Sequence, residues 1–237
     1  LTPSVRDEYL AMGIPCEKVR IIPNGVNNRI FKNKDHKKTQ GIRKDYGVPD
    51  DAKIILTVGR YHPKKGFDLI PAIADILKER GVKFVWLVVG KNTSKIKGKH
   101  PDCEKNNVVF VEKFSGDNAE DKFMLPTSGL IDIYNAADLF ALPTLIETFG
   151  MVLVEAMAAG LPIVTTDALG VRDVINDGVN GVKVPTNDVE SFANAIVRIF
   201  TDEALTATLS ANAKREAEEK YDWAVVTKQY SDYYNYI

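Results

Sequence analysis

The stretch from Leu142 to Gly160 reads L-P-T-L-I-E-T-F-G-M-V-L-V-E-A-M-A-A-G, and its pattern decides the fold around it. Residues 138–142 form a short apolar run that ends before a proline, which favours a buried strand. The segment from Phe149 to Ala159 is rich in helix-forming residues and stops at a glycine, as many helices do. We therefore predict a strand, a loop and a helix in succession, with Thr148 as the N-cap of the helix.

The loop between this strand and this helix has features suited to a phosphorylated ligand. The amides of Phe149, Gly150 and Met151 are expected to be unpaired donors at the positive end of the helix, which attracts phosphate. Glu147 precedes that end, and Glu155 lies about 9 Å beyond it at about 1.5 Å per residue. Carboxylates on either side of a diphosphate can hold hydroxyl groups, so the layout fits a nucleotide sugar. The alternative is an ordinary strand–helix unit with two solvated glutamates.

Further apolar runs continue the alternation of strands and helices along the chain. Additional strands are predicted at residues 19–22, 54–59, 82–90, 108–111, 162–166 and, as an edge strand, 180–184. Helices are predicted at residues 4–12, 67–80, 130–137, 149–159, 171–175, 188–200, 203–220 and 223–236. The polar segments 32–44 and 91–107 are predicted to be a solvated linker and an exposed loop.

This alternation indicates an α/β fold, in which a Rossmann-like parallel sheet carries helices on both faces. Ligands of such sheets bind at the carboxyl ends of the strands. Gly59-Arg60 and the segment from Pro143 to Glu147 both follow such ends. We therefore expect these two segments to meet at one edge of the sheet.

Arg60 and Lys65 lie in a loop flanked by glycines, directly after a predicted strand. Such a loop can direct two cations at one anion, since arginine offers a planar fork and lysine a point charge. The alternative is a surface loop with solvated bases. His62, in the same loop, is predicted to be a loop residue rather than a catalyst.

Composition narrows the class of protein. The net charge of −1 gives no bulk attraction to nucleic acid or to an anionic membrane. Cys16 and Cys103 are isolated, which argues against a metal site. No apolar run reaches the roughly 18 residues of a membrane span, and a reducing cytoplasm is the expected compartment, with membrane association of a longer protein left open. Leu1-Thr2-Pro3 is interpreted as a cut inside such a longer protein.

Three motifs together resemble the retaining glycosyltransferases of family 4, which have the GT-B fold. They are V-G-R-Y-H-P-K-K-G-F-D at 58–68, the stretch that opens with L-P-T-L-I-E-T-F-G at 142–167, and D-G-V-N-G-V-K-V-P at 177–185. The two glutamates at E-x7-E spacing are a specific signal when they occur together with the G-R…K-G loop. The resemblance extends from about Pro23 to the C-terminus.

The resemblance implies that the chain has three parts. Residues 1–22 correspond to the tail of an N-terminal acceptor domain, residues 23–222 to a donor-binding Rossmann-like domain, and residues 223–237 to a helix that crosses back. Asn27 stands where the family usually has aspartate, within the crossover segment P-N-G-V-N. The implied acceptor is a glycan or a lipid-linked saccharide, held by an N-terminal domain outside this chain.

The resemblance also assigns roles to single residues. Arg60 and Lys65 correspond to the pair that binds the diphosphate, and with Glu147, near the donor sugar, they are the implied catalytic residues. Glu155 corresponds to the residue that grips the ribose hydroxyls, and the nucleobase is expected near residues 110–114. Retention is attributed in this family to front-side attack, with the donor phosphate taking the acceptor proton.

Residues 148–151 complete the implied binding site. Phe149, Gly150 and Met151 are expected to offer amides to sugar and phosphate, whereas Thr148 departs from the Gly or Pro of many relatives. The family uses no obligatory metal or cofactor, and its donor is a UDP-, GDP- or ADP-linked sugar. Two hypotheses stay open beside a hexosyltransferase: a GT-B epimerase or phosphorylase relative, and a nucleotide-sugar-binding module without catalysis.

Overall fold

A parallel sheet forms the centre of the molecule, of which the computed structural model describes residues 2–32, 34–113 and 126–235. The order of its six strands is β3-β2-β1-β4-β5-β6, and every neighbouring pair is parallel. The chain reverses its direction of travel across the sheet between β1 and β4, which makes this pair the topological switch point. The strands are β1 (Lys53–Val58), β2 (Phe84–Val89), β3 (Val108–Val111), β4 (Leu139–Leu142), β5 (Ile163–Thr166) and β6 (Val182–Val184).

Helices cover both faces of the sheet and bury its central strands. They are α1 (Pro3–Ala11), α2 (His36–Asp45), α3 (Ile70–Glu79), α4 (Lys95–Lys99), α5 (Ser128–Ala136), α6 (Met151–Ala158), α7 (Val189–Thr201), α8 (Glu203–Lys220) and α9 (Trp223–Tyr234). Helix α3 packs against α7, α2 against α5, and α6 against α8. Because both faces are covered, the central strands can be apolar at almost every position, as β2 is.

Two buried hydrogen bonds of the Thr57 hydroxyl connect the central strands β2, β1 and β4. The Thr57 hydroxyl in β1 donates to the Ala141 carbonyl in β4 at 2.5 Å, and the Trp86 indole in β2 donates to the Thr57 oxygen at 2.9 Å. Thr57 and Trp86 are fully buried, so each polar atom needs such a partner. The parallel α/β sheet predicted from the apolar runs is thus confirmed.

The strand predicted at residues 19–22 and the helix predicted at residues 171–175 are both wrong. Residues 19–22 pair with no strand of the described sheet, and of these four residues Ile22 is the one that is buried. Residues 171–175 form hydrogen-bonded turns rather than a helix, with Val171 and Ile175 buried. Short apolar runs mark burial more reliably than they mark a type of element.

Two predicted loops contain helices. The linker predicted at 32–44 holds α2, which Asp35 caps by accepting the Lys37 amide at 2.8 Å, and Ile42 packs against the core. The loop predicted at 91–107 holds the short α4, whose Ile96 is fully buried. In both segments lysines dominate the composition, although Ile42 is partly buried in the first and Thr93 and Ile96 are buried in the second. The last helix ends at Tyr234, and the predicted residue 236 lies outside the described residues.

Gly66 determines how closely the loop after β1 approaches the loop after β4. Its φ is +65°, and a Cβ at this position would lie 1.8 Å from the carbonyl oxygen of Pro143. A side chain would therefore meet both a backbone penalty and a collision with main-chain atoms. Gly41, in the middle of α2, offers a contrast, because a Cβ there would meet no atom within 4 Å.

We expect Gly66→Ala to lower the free energy of unfolding by on the order of 1–3 kcal/mol, since the loops must separate to admit the methyl group. Gly41→Ala makes the same chemical change in a helix, where it is expected to be neutral or to stabilise by up to about 1 kcal/mol. Urea denaturation followed by circular dichroism measures both. Equal effects of the two substitutions would contradict the role given to Gly66.

Candidate functional site

The loops after β1 and β4 meet at the switch point, as their positions after strand ends predict. The Lys64 carbonyl oxygen accepts hydrogen bonds from the Leu145 amide at 2.8 Å and from the buried Thr144 hydroxyl at 3.1 Å. Together with the close approach at Gly66, these bonds hold the two loops in a fixed position relative to each other. The site is therefore built on main-chain contacts that are independent of its charged side chains.

A third loop, after β5, fixes the backbone of Glu147. The Glu147 amide donates to the Leu169 carbonyl at 2.9 Å. Gly170, with φ +81°, packs on the other side, where a Cβ would lie 2.0 Å from the Glu147 carbonyl oxygen. Because the backbone of Glu147 is held from two sides, its carboxylate has a defined position.

Lys65 and Glu147 form an ion pair at the centre of the site. Lys65 Nζ lies 2.5 Å from Glu147 Oε1, with 28% of the Lys65 side chain and 6% of the Glu147 side chain exposed. Charges that are this well buried are stable only when paired, so each side chain holds the other in place. The sequence places them 82 residues apart and predicts two separate roles, whereas the structure joins them.

Arg60 and Lys64 are exposed cations of this loop that line the cleft, and Arg60 is the one that the sequence predicts to bind an anion. Its side chain is exposed and has no ion-pair or hydrogen-bond partner within the described ranges. His62 serves the loop itself, since its Nδ1 accepts the Lys64 amide at 3.2 Å and caps the short turn of Pro63–Lys65. His62 is thus a loop residue, as predicted.

The helix α6 begins at Met151 and not at Phe149, and its N-cap is Gly150 rather than Thr148. Gly150 has φ +78°, a conformation that threonine adopts at a cost, and the exposed Thr148 makes no side-chain hydrogen bond to any described residue. Among the described residues no acceptor binds the amides of Phe149, Gly150, Met151 or Val152. The start of α6 therefore carries four backbone N–H donors without a described acceptor, an arrangement that suits an anion.

The side chain and the main chain of Phe149 have different roles. Its ring is buried and packs edge-on against Tyr221, with 5.8 Å between the ring centroids. The aromatic contact fastens the segment before α6 to the end of α8. The amide of Phe149 is left without a partner among the described residues, as stated above.

The charged residues share one cleft of about 540 Å³ at the switch point. It brings together the predicted residues Arg60, Lys65, Glu147 and Thr148. The other predicted residues, Phe149, Gly150, Met151 and Glu155, do not belong to its lining. The cleft is lined by Gly59, Arg60, His62, Lys64, Lys65, Ile146, Glu147 and Thr148.

Glu155 lies in the second turn of α6 and contacts Tyr134 of α5. The Tyr134 hydroxyl donates to Glu155 Oε2 at 2.8 Å. Burial raises the pKa of Glu155 to about 7, and the hydrogen bond from Tyr134 opposes this rise. Burial, with the neighbouring carboxylate of Glu155 as a further cause, raises the pKa of the fully buried Tyr134 well above its usual value.

Sequence reasoning missed Tyr134 because its neighbours mark it only as a core residue. It lies in the helix before β4, where apolar spacing predicts burial, and nothing local indicates that its hydroxyl meets a carboxylate 21 residues later. Of the segment predicted near the nucleobase, Phe110 is half-buried at the end of β3, and residue 114 lies outside the described residues.

The described residues contain neither a candidate metal cluster nor a helix that could span a membrane. No cluster of three or more His, Cys, Asp or Glu side chains in those ranges is arranged to hold a metal ion. No helix within them combines the length and the apolar character needed to cross a membrane.

The chain is similar in sequence to a large group of enzymes. The sequence model of the family described as "Glycosyl transferases group 1" matches residues 38–216. An uncharacterized glycosyltransferase of Methanocaldococcus jannaschii is 31% identical over 97% of this chain and 57% of its own length. The D-inositol 3-phosphate glycosyltransferase of Kribbella flavida is 31% identical over 87% of this chain and 48% of its own length. The chain thus spans about half the length of these relatives.

The fold matches solved glycosyltransferase structures at lower identity. Anabaena HepE, crystallised in complex with UDP, superposes with a TM-score of 0.82 and 23% identity over 98% of this chain and 61% of its own. The C-terminal domain of a Francisella tularensis glycosyl transferase group 1 family protein superposes with a TM-score of 0.65 and 20% identity, over 84% of this chain and all of that domain. The fold is therefore that of one Rossmann-like half of a GT-B protein.

The pKa of Glu155 predicts how stability depends on pH. Because folding raises this pKa from 4.5 to about 7, the folded state binds the proton more tightly, and the free energy of unfolding falls as pH rises through that window. Glu155→Gln removes the titration, so we expect its stability relative to wild type to increase by about 2–3 kcal/mol between pH 5 and pH 8. Urea denaturation of both proteins at the two pH values measures this. A difference that is independent of pH would contradict the prediction.

Proposed function

The chain belongs to the family of group 1 glycosyl transferases, and we propose that it forms the donor-binding half of a hexosyltransferase that uses a nucleotide diphosphate sugar. The observation that carries this proposal is the cleft at the switch point, which Arg60, Lys65, Glu147 and Thr148 line and from which the chain leads directly into the unpaired amides at the start of α6. Cations and helix amides are the groups that bind a diphosphate in proteins. The proposed reaction uses the nucleotide sugar as its donor substrate and needs no cofactor.

In this proposal the diphosphate lies between Arg60 and the start of α6. Arg60 offers a fork of donors to phosphate oxygens, and the amides of Gly150 and Met151 offer further donors. The fold fixes the amides before the ligand arrives, and together with the Arg60 cation they stabilise the negative charge that grows on the leaving diphosphate. This arrangement supplies charge stabilisation without a metal ion.

Glu147 is proposed to face the transferred sugar, on the side of the cleft next to the diphosphate. Its ion pair with Lys65 has a consequence for binding, since a diphosphate that contacts Lys65 competes with Glu147 for the same ammonium group. Arrival of the donor then leaves Glu147 with free acceptor oxygens for sugar hydroxyls. Glu155, farther along α6, is proposed to accept the ribose hydroxyls.

The remaining parts of the proposal rest on the family resemblance. They are transfer with retention of configuration, a glycan or lipid-linked saccharide as acceptor, an N-terminal acceptor domain outside this chain, and a cytoplasmic location. Residues 1–22 and 223–237 are proposed to belong to the junction with that domain. UDP is the first nucleotide to test, because HepE was crystallised with it.

Isothermal titration calorimetry with UDP, GDP and ADP tests the donor site. We expect one of them to bind, and Arg60→Ala to weaken that binding about tenfold to a hundredfold, because it removes a charge-assisted contact of about 1.5–3 kcal/mol. Binding of the matching nucleoside should not change. Arg215→Ala, which removes an exposed arginine on α8, is the control. No binding of any of the three at millimolar concentration would refute the proposed function.

The ion pair predicts opposite effects for its two members. Lys65→Ala should weaken binding of the nucleoside diphosphate by about tenfold or more, since a phosphate contact is lost. Glu147→Gln should leave that binding intact or make it a few-fold tighter, because Lys65 is released, but should remove any extra affinity for the sugar-linked form. Calorimetry with UDP and UDP-glucose measures both. Loss of UDP binding in Glu147→Gln would reverse the assignment.

Transfer itself is expected to need the acceptor domain. Closure of two domains excludes water from the reacting atoms and brings the acceptor to the sugar. We therefore expect no sugar transfer by this chain alone in an assay that follows release of the nucleoside diphosphate. Turnover dependent on an added acceptor would contradict this part of the proposal.

A further inference from the structure

We propose that Tyr134 is a positioning residue of the nucleotide site, whose hydroxyl orients the Glu155 carboxylate so that its second oxygen can accept the ribose hydroxyls. The inference rests on the proposed function and goes beyond it by adding a residue that does not itself touch the ligand. Tyr134 and Glu155 lie on different helices, α5 and α6, so their hydrogen bond links these helices.

The packing of the Tyr134 ring fixes the position of its hydroxyl oxygen. The ring is fully buried, stacked on Phe140 of β4 at 5.9 Å between centroids and edge-on to Phe31 at 5.8 Å. Aromatic neighbours on two sides exclude other positions of the ring. The hydroxyl therefore points in a direction determined by the core and not by the ligand.

The contact leaves one carboxylate oxygen of Glu155 available. Oε2 accepts the Tyr134 hydroxyl, which also lies 3.4 Å from the Val152 carbonyl oxygen. Oε1 has no hydrogen-bond partner among the described residues, and Glu155 is only partly buried. A carboxylate that is already held by one oxygen loses less freedom when the other binds a ligand.

The same hydroxyl influences the ionisation of Glu155. Burial raises the pKa of Glu155 to about 7, and the hydrogen bond from Tyr134 lowers it. Of the titratable groups in the described residues, Tyr134 is the one whose interaction shifts this pKa; on the neighbouring parts of α5 and α6, Asp132 pairs with Lys38 instead. Without the hydroxyl, Glu155 should ionise at higher pH and be a poorer acceptor at neutral pH.

Tyr134→Phe tests the proposal because it keeps the ring and removes one oxygen atom. The control is Tyr46→Phe, which removes the same atom from a partly buried tyrosine at the end of α2. Calorimetry measures binding of UDP and of pyrophosphate to both variants and to wild type from pH 6 to pH 9. Pyrophosphate contains the phosphate part of the ligand without the ribose.

We expect Tyr134→Phe to weaken UDP binding about threefold to tenfold at pH 7, to shift the pH midpoint of UDP affinity upward, and to leave pyrophosphate binding unchanged. In the Glu155→Gln background, Tyr134→Phe should have little further effect, since the two residues act as one unit. Tyr46→Phe should match wild type in every measurement.

Three outcomes overturn the inference. If wild type binds UDP and Tyr134→Phe binds it equally well at all pH values, the inference fails while the proposed function stands. If UDP and pyrophosphate weaken together, Tyr134 acts through general packing and not through Glu155. If wild type binds none of UDP, GDP and ADP, the proposed function fails and this inference fails with it.

Discussion

The carbonyl oxygen of Lys64 accepts hydrogen bonds from the loop after β4, and the rest of the candidate site depends on that junction. The bonds from Leu145 and Thr144 fix two loops that belong to neighbouring strands at the switch point. Gly66 permits the approach because any side chain there would collide with the Pro143 carbonyl. Parallel strands bring their carboxyl ends to the same edge, but only such main-chain contacts determine the distance between the loops.

Charge is balanced across this junction rather than concentrated on one side. Lys65 and Glu147 neutralise each other in a largely buried pair, while Arg60 and the amides before α6 remain without partners among the described residues. A site of this kind avoids a buried unpaired charge when it is empty and still offers donors to an anion. Glu155, which is proposed to meet the ribose, is stabilised differently, since a buried phenol holds it and not an opposite charge.

Much of the architecture could be predicted from the sequence, because continuous apolar strands are characteristic of a sheet covered on both faces. The convergence of Arg60 with Glu147 could also be predicted, since it follows from strand ends. The pairing of Lys65 with Glu147 could not, because contacts between distant residues depend on loop geometry that no local pattern encodes. The N-cap was misassigned to Thr148, since residue preference favours threonine, whereas the backbone conformation at Gly150 decides where α6 begins.

The glycine junctions also bear on how proteins with this fold diverge. Gly66 and Gly170 fix the loops through backbone contacts, so exposed neighbours such as Ile146 and Thr148 can change without moving the frame of the cleft. The fold is retained in HepE at 23% identity with a TM-score of 0.82. Mutational tolerance should therefore be lowest at Gly66 and Gly170, where a Cβ would collide with main-chain atoms, and not at open glycines such as Gly41.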